Sequence, residues 1–168
     1  MNKEIKLRAM EPEDLELLYS IENDHSLWEV GLTNVPYSRY VLRDFIANSK
    51  CDIYTDRQVR LIIDNGVGET VGMADIINFD PKNRRAEVGI VMIARHRRHG
   101  YASMALQQLN NFARHSLHLH QLYAVIDVSN DASIQLFRKA GYFESLQLKD
   151  WLYDGEKYHN ALLMQIIL

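Results

Sequence analysis

One change of hydrophobic rhythm, between residues 86 and 115, constrains the fold more than any other feature of the sequence. Residues 86–93, AEVGIVMI, are an almost continuous apolar run, which is typical of a strand buried on both faces. From Gly100 onward the apolar residues recur every three or four positions, as on one face of a helix: Ala102, Ala105, Leu106, Leu109, Phe112 and Ala113. The sequence therefore predicts a strand, a loop and a helix in that order.

The loop of this unit, RHRRHGYA at residues 95–102, holds three arginines and two histidines in a chain whose net charge is −3. A helix that begins at Gly100 leaves its first N–H groups without intrahelical partners, and the helix dipole adds about half a positive charge there. Glycine lets a ligand approach the backbone closely, and Arg97 and Arg98 add side chains suited to phosphate. The loop is predicted to bind a phosphorylated ligand.

The rest of the chain has the patterns of further strands and helices. We expect strands over residues 4–10, 57–63, 70–79 and 122–128, with a turn at 64–66. One helix is expected to begin at residues 11–14 and a second to span residues 38–49. A later helix is expected to be capped by Ser129 or Asn130 and ended by Gly141, and a hairpin at Asp154-Gly155 closes the chain. This order predicts a single α/β domain over residues 1–168 with a mixed sheet.

Composition limits the possible functions. The small negative net charge argues against a general nucleic-acid or membrane-surface binder, and the basic run RHRRH is only five residues long. No apolar run approaches the roughly 18 residues of a membrane span, and the start, MNKEIKLRAM, alternates like a strand rather than a signal peptide. Cys51 is the sole cysteine, so we expect a structural or incidental thiol, no internal disulfide and a cytoplasmic location.

Three histidines, His115, His118 and His120, follow the predicted helix closely. Two of them can share a helix face, but no Asp, Glu or Cys follows at the spacing of a third metal ligand. We interpret them as the exposed end of a helix and predict no metal site.

Two segments carry a resemblance to a known family. Arg97-x-x-Gly100-x-Ala102, placed between a strand and a helix, resembles the (Gln/Arg)-x-x-Gly-x-(Gly/Ala) signature of the GNAT superfamily of acetyltransferases. SNDASI at 129–134 with FRKAGY at 137–142 resembles the family's Asn-x-x-(Ala/Ser) and Tyr-x-Lys-x-Gly-Phe segment. The similarity runs along essentially the whole chain and is nearest to the branch of spermidine and ribosomal-protein N-terminal acetyltransferases.

The resemblance implies a single-domain α/β fold, with a central mixed, mostly antiparallel sheet flanked by helices. It implies transfer of an acetyl group from acetyl-CoA to a primary amine, either a polyamine-like small amine or a protein N-terminus. A homodimer is also expected from it. The residues implied to bind the coenzyme are Ile90, Val91, Met92, Arg97, Arg98, His99, Gly100, Tyr101, Ala102, Asn130 and Phe137.

An amine must be neutral to attack a thioester, and Glu87 is the predicted catalytic base. An alkylamine with a pKa of about 10.4 is roughly 0.1% neutral near pH 7.4, a handicap of ~4 kcal/mol. Glu87 lies inside the apolar strand, where desolvation is expected to raise its pKa, and the resemblance implies the same role. The alternative is that Glu87 pairs with Arg84 or Arg85 for structural reasons.

The sequence departs from the family pattern at Phe137, where the spermidine enzymes carry a tyrosine that protonates the leaving sulfur. Coenzyme A then leaves as a thiolate, since a thiol pKa near 8.5 makes it a tolerable leaving group. Water or the hydroxyl of Ser133 is a further proton source. The alternative function is a catalytically silent acyl-CoA-binding module.

The acceptor segment departs as well. Thr33-Asn34-Val35 precedes Pro36-Tyr37, where the spermidine enzymes have adjacent acidic residues. Three nearby carboxylates can attract a cationic amine or simply form a solvated helix end: Glu22, Asp24 and Glu29. Four aromatic residues line an acceptor groove or belong to core or subunit contacts: Trp28, Tyr37, Trp151 and Tyr153.

Overall fold

The computed structural model describes residues 4–28, 35–50 and 52–168, apart from the side chain of Trp28. They form a sheet of seven strands in the order β1-β2-β3-β4-β5-β7-β6. The strands are β1 (Ile5–Ala9), β2 (Val59–Asn65), β3 (Thr70–Asp80), β4 (Arg85–Met92), β5 (Gln121–Asp127), β6 (Phe143–Tyr153) and β7 (Tyr158–Ile167). Neighbours pair antiparallel except β4 and β5, which are parallel. The predicted mixed, mostly antiparallel sheet is confirmed.

Helices cover both faces of this sheet. They are α1 (Leu15–Glu22), α2 (His25–Trp28), α3 (Arg39–Asn48), α4 (Ile53–Asp56), α5 (Tyr101–His115) and α6 (Asp131–Lys139). Successive strand residues point to opposite faces. Ile63 of β2 accordingly packs in the core with α5 and α6, whereas Ile62 packs with Leu18 of α1 and Leu42 of α3.

The predicted elements are present, with shifted ends. The helix expected from residue 11 begins as a 3-10 turn, Pro12–Asp14, before α1. The turn expected at 64–66 comes later, because Asp64 stays in β2, where its carboxylate accepts hydrogen bonds from Arg8 Nε (2.6 Å) and the Thr70 hydroxyl (2.7 Å). Asn130 caps α6, and Gly141 ends it with a φ of 93°, as predicted.

The expectation that the strand at residues 86–93 is buried on both faces was wrong. In β4, Ala86 and Val88 are buried while Glu87 and Gly89 are partly exposed. β5 alternates in the same way between buried Leu122, Ala124 and Ile126 and partly exposed neighbours. Helices α5 and α6 pack against the first face, whereas β4 presents Glu87 and Gly89 on the second face. The second face buries Ile62 and Met73 elsewhere, beside α1 and α3.

Candidate active site

The parallel strands β4 and β5 separate soon after they meet. Their pairing consists of Arg85 with Gln121, Ala86 with Leu122 and Glu87 with Tyr123. Beyond these pairs, the edge of β4 that faces β5 has no strand partner among the described residues. The predicted coenzyme contacts Ile90, Val91 and Met92 lie on this stretch of β4. An extended ligand can therefore add to the strand edge by main-chain hydrogen bonds.

The basic loop follows β4 and leads into α5. Residues Ala94–His96 form a 3-10 turn, Arg98 has a φ of 61°, and Gly100 has a φ of 85° as the residue before the helix. No side chain caps the start of α5, unlike α3 and α6, where Ser38 and Asn130 accept a backbone hydrogen bond. The first N–H groups of α5, including those of Tyr101 and Ala102, are thus available to an anion.

The five basic residues of the loop differ in their contacts. Arg95 and His96 contact the Glu69 carboxylate at 3.3 and 3.2 Å, which ties the loop to the β2–β3 turn. Arg97 donates from Nε to the Met92 carbonyl at 3.1 Å and is exposed, as is Arg98. His99 stacks on Tyr101 with ring centroids 6.0 Å apart. Within the part of the chain that the structure describes, Glu69 therefore offsets the charge of Arg95 and contacts His96.

Asn130 and Phe137 lie at the start of α6 and within it, and α6 follows β5, which separates from β4 after three residue pairs. Asn130 Oδ1 accepts from the Ser133 N–H at 3.1 Å, so the side chain has a structural duty as a cap. Phe137 exposes 2% of its surface and packs edge to face on Tyr142, with centroids 4.9 Å apart. The Tyr142 hydroxyl donates to Asn110 Oδ1 at 2.9 Å, and burial raises its pKa. This nearby hydroxyl therefore does not replace the one missing at Phe137.

Glu87 lies in a more polar setting than the sequence indicated. Its carboxylate is partly exposed and accepts from Asn78 Nδ2 at 2.8 Å. The two alternative partners bind elsewhere: Arg84 donates to the His118 carbonyl, and Arg85 pairs with Asp80 at 3.2 Å. The expected desolvated carboxylate and the expected arginine pair are thus both replaced by an amide contact, because β3 brings Asn78 alongside.

Tyr123 is the neighbour of Glu87 across the last β4–β5 pair. Burial raises the pKa of Tyr123, and the negative charge of Glu87 adds to the effect. The tyrosine therefore stays protonated at neutral pH and can act as a hydrogen-bond donor beside the carboxylate.

Sequence reasoning missed a pocket of about 400 Å³ at the carboxyl end of β5. It is lined by Asp127, Ser129, Asn130, Leu152, Tyr153, Asp154, Glu156 and His159. A hollow of similar size, about 430 Å³, lies between β1 and α5, and its only charged lining residue is Glu4. The signal for the first pocket was an aspartate at the end of β5, combined with a histidine that the hairpin register brings back beside it.

The acceptor segment is only partly described. Residues 29–34, with Glu29, Thr33 and Asn34, and residue Cys51 lie outside the described residues. Glu22 is engaged by Arg60, whose Nη1 lies 2.6 Å from its carboxylate and whose Nε lies 2.7 Å from Asp75. Asp24 accepts from Ser26 at the start of α2. Glu22 and Asp24, two of the three carboxylates that the sequence offered either to a cationic amine or to a solvated helix end, therefore have partners within the chain.

A family model described as an acetyltransferase (GNAT) domain matches residues 4–142. The chain belongs to the GNAT acetyltransferase family. Residues after 142 form β6 and β7, which complete the sheet beside β5.

Several relatives match along nearly their full length. The spermidine N(1)-acetyltransferase of Escherichia coli (strain K12) is 25% identical over 162 residues, which cover 96% of this chain and 85% of that protein. A putative ribosomal N-acetyltransferase of Bacillus subtilis (strain 168) is 26% identical over 174 residues, covering 99% and 93%.

Solved structures share the fold. The crystal structure of spermidine N-acetyltransferase from Vibrio cholerae in complex with CoA and spermine superposes with a TM-score of 0.86 at 21% identity, covering 97% of this chain and 95% of that one. A dodecameric structure of the Vibrio cholerae enzyme superposes with a TM-score of 0.82 at 22% identity, covering 97% and 93%.

This GNAT protein is an acetyl-CoA-dependent N-acetyltransferase, as the sequence predicted, and its reaction transfers an acetyl group to an amine. The catalytically silent alternative finds no support in these comparisons or in the part of the chain that the structure describes. None of the described helices is both long and apolar enough to cross a bilayer.

Proposed function

We propose that this enzyme acetylates a small cationic amine of the polyamine type. Two relatives with this activity in their names, from Escherichia coli and Vibrio cholerae, align over 96% and 99% of the chain. The pocket after β5 is lined by the carboxylates of Asp127, Asp154 and Glu156, which favour a positively charged ligand. A polyamine is such a ligand at neutral pH because its amines have pKa values near 10.

The observation that carries the acetyl-CoA part of this proposal is the gap between β4 and β5, which leads toward the uncapped start of α5. We place acetyl-CoA in this gap, with its extended arm along the edge of β4 at Ile90, Val91 and Met92. Its pyrophosphate belongs at the start of α5, where N–H groups and guanidinium groups converge. The loop residues assigned to it are Arg97, Arg98, His99, Gly100, Tyr101 and Ala102. Asn130 and Phe137 are assigned to the α6 side of the coenzyme.

In this arrangement Glu87 is assigned to the acceptor amine, either as a hydrogen-bond partner or as a recipient of its proton through water. Phe137 has no proton to give to the sulfur. The thiolate therefore leaves with its electron pair, and water or the Ser133 hydroxyl protonates it afterwards.

The test is release of free coenzyme A thiol from acetyl-CoA with four acceptors: spermidine, a lysine peptide, a peptide with a free N-terminus and an aminoglycoside. We expect turnover with spermidine above the other three. Tight acetyl-CoA binding without thiol release from any acceptor would overturn the proposal in favour of the silent module.

A matched pair of variants tests the role of Glu87. Glu87→Gln keeps the hydrogen bond with Asn78 but removes the charge, and we expect kcat to fall about 100-fold while acetyl-CoA still binds. Glu144→Gln is the control, because Glu144 pairs with Arg138 on the surface at the start of β6. Equal kcat values for the two variants would remove Glu87 from the mechanism.

A protein N-terminus is the second candidate acceptor. The Bacillus subtilis relative, named a putative ribosomal N-acetyltransferase, matches at 26% identity, as closely as the spermidine enzymes do. The peptide with a free N-terminus in the acceptor panel decides between the two, since a protein-directed enzyme would release more thiol with it than with spermidine.

We also propose that residues 1–168 act as one cytoplasmic domain that self-associates, with a dimer as the smallest unit. A dodecamer is known for the Vibrio cholerae enzyme. Several large apolar side chains of β6 and β7 are exposed, among them Phe143 by 50%, Leu146 by 56% and Ile167 by 53%, and they suit a subunit contact. Light scattering of the purified protein gives the mass, and a monomer at micromolar concentration would refute the self-association.

A further inference from the structure

His159 of β7 stands between two carboxylates at the pocket after β5. Its Nε2 lies 2.6 Å from Asp154 Oδ2, at the tip of the β6–β7 hairpin. Its Nδ1 lies 3.7 Å from Asp127 Oδ2, at the end of β5. All three side chains line the same pocket and are largely shielded, with 26% of His159, 25% of Asp154 and 12% of Asp127 exposed.

Both carboxylates are held in place by their other oxygen. Asp127 Oδ1 accepts from the N–H and the hydroxyl of Ser129, each at 2.7 Å. Asp154 Oδ1 accepts from the N–H groups of Glu156 and Lys157, each at 2.8 Å. The hydrogen bond from the Lys157 N–H, followed by those from His159 and the Glu156 N–H, lowers the pKa of Asp154. Asp154 is therefore an ionised, fixed acceptor at neutral pH.

An ionised Asp154 at 2.6 Å requires a proton on His159 Nε2, because a carboxylate can only accept. In the neutral ring the other nitrogen, Nδ1, then carries a lone pair that faces Asp127 Oδ2. Their separation of 3.7 Å is too long for a direct hydrogen bond. Two acceptors therefore face each other, and a group with at least two hydrogens to donate satisfies both.

The pocket lies beside the split that separates β4 from β5. Counting along both strands from the last pair, Glu87 with Tyr123, brings Val91 level with Asp127. Asn130, one of the proposed coenzyme contacts, lines the same pocket. A ligand at Asp127 and His159 is thus on the β5 side of the space assigned to acetyl-CoA, whereas Glu87 lies four residues earlier on β4.

We propose that the reacting ammonium group of the acceptor binds between Asp127 Oδ2 and His159 Nδ1, and that His159 takes its first proton. This inference rests on the proposed acetyltransferase reaction and names the base for it. The N–H bonding pair stays on the nitrogen as a lone pair, and the proton forms a bond to Nδ1. The resulting imidazolium donates to a carboxylate on each side, which stabilises it.

The remaining steps balance without a further reactant. The neutral amine attacks the thioester carbon, a C–N bond forms, the C–S bond breaks, and the sulfur leaves with the electron pair. The second nitrogen proton, released as the amide forms, passes through water or the Ser133 hydroxyl to the thiolate and gives the thiol. Glu87 lies four residues earlier on β4, roughly 13 Å along the strand, so it does not contact this ammonium group or take its first proton.

Chemical rescue tests the proposal. His159→Ala removes the base, and we expect kcat/KM for spermidine to fall about 100-fold and to be partly restored by imidazole in the buffer. Acetyl-CoA affinity, measured by calorimetry, stays within about twofold because the proposed coenzyme contacts are intact. His115→Gln at the exposed end of α5 is the control, with wild-type rates.

Asp127→Asn tests the binding half of the proposal. The amide keeps one acceptor oxygen but loses the charge, so we expect KM for spermidine to rise about tenfold and kcat to change less. Asp150→Asn is the matched control, because it makes the same charge change on an exposed residue of β6.

The pH profile adds an independent reading. The ionisable groups that face His159 in this pocket are Asp127 of β5 and Asp154, Glu156 and Tyr153 of the hairpin. With His159 as base, kcat/KM of the wild type falls toward acid pH, because a protonated ring cannot accept the ammonium proton. His159→Gln loses this limb of the profile.

The outcomes separate the two proposals. If the wild type releases no thiol with any amine, the proposed function fails. If the wild type is active and His159→Ala keeps its rate, or loses it without imidazole rescue while its melting temperature or acetyl-CoA affinity falls, His159 is not the base and the inference is overturned.

Discussion

The regions at the carboxyl ends of the two parallel strands carry opposite charge. After β4 comes an exposed loop of arginines that leads, through Gly100, into a helix start with no side-chain cap. After β5 comes a partly enclosed pocket of carboxylates around His159, fixed by side-chain hydrogen bonds. The first suits a phosphate and the second an ammonium group. A two-substrate enzyme can sort an anionic donor from a cationic acceptor in this way, by charge alone.

The largest expected effect is at the positive end. Gly100→Glu forces a φ of 85° on a residue with a Cβ, which costs roughly 1–2 kcal/mol, and brings a like charge to the phosphate for about 1 kcal/mol more. Together these predict a loss of acetyl-CoA affinity of roughly 100-fold, measured by calorimetry. Gly100→Ala is the control, because it imposes the same backbone strain without adding a charge. Its Cβ meets no atom within 4 Å, so it adds no clash. Normal binding by Gly100→Glu would mean that the loop does not hold the phosphates.

The loop arginines divide into two groups, and their variants should divide too. Arg98→Ala removes an exposed guanidinium at the proposed phosphate site, so we expect acetyl-CoA affinity to fall about tenfold. Arg95→Ala removes a partner of Glu69 instead, and its affinity should stay within about twofold. Equal losses for both, in the same calorimetric assay, would show that the loop acts only through its summed charge.

Phe137→Tyr tests whether the missing hydroxyl limits the enzyme. Phe137 exposes 2% of its surface, so an added hydroxyl is buried and costs roughly 1–3 kcal/mol of unfolding free energy if it finds no partner. We expect lower stability in urea unfolding and no gain in kcat, because the thiolate leaves unaided. A clear rise in kcat would instead show that protonation of the sulfur is rate-limiting.

The smallest expected effect is at the negative end and depends on pH. Since folding lowers the pKa of Asp154, its contribution to stability is present above the unfolded pKa of about 3.9 and is lost as the pH falls below it. The melting temperatures of wild type and Asp154→Asn should therefore differ most near pH 7, and the difference should shrink as the pH is lowered below about 3.9. A difference that does not shrink with acid would contradict this assignment.

The two ends also differ in how far the sequence reveals them. The basic loop was predicted because its signals, a strand pattern, a glycine and a helix period, are contiguous in the chain. The pocket was missed because Asp127 and His159 are separated by a helix and a hairpin, and only the strand register brings them together. The surroundings of Glu87 differ from the expected ones for the same reason: Asn78 reaches it from β3, a neighbour that no local pattern specifies.

The seven-stranded sheet is in effect two smaller sheets. Strands β1 to β4 and strands β5, β7 and β6 are joined through three residue pairs. A ligand arm that fills the gap supplies main-chain contacts that β4 and β5 do not make with each other. Such a ligand stabilises the sheet as well as serving as a substrate. The free enzyme should then exchange the amide hydrogens of β4 beyond Glu87 faster than those of β3, and acetyl-CoA should slow that exchange more than any other in the sheet.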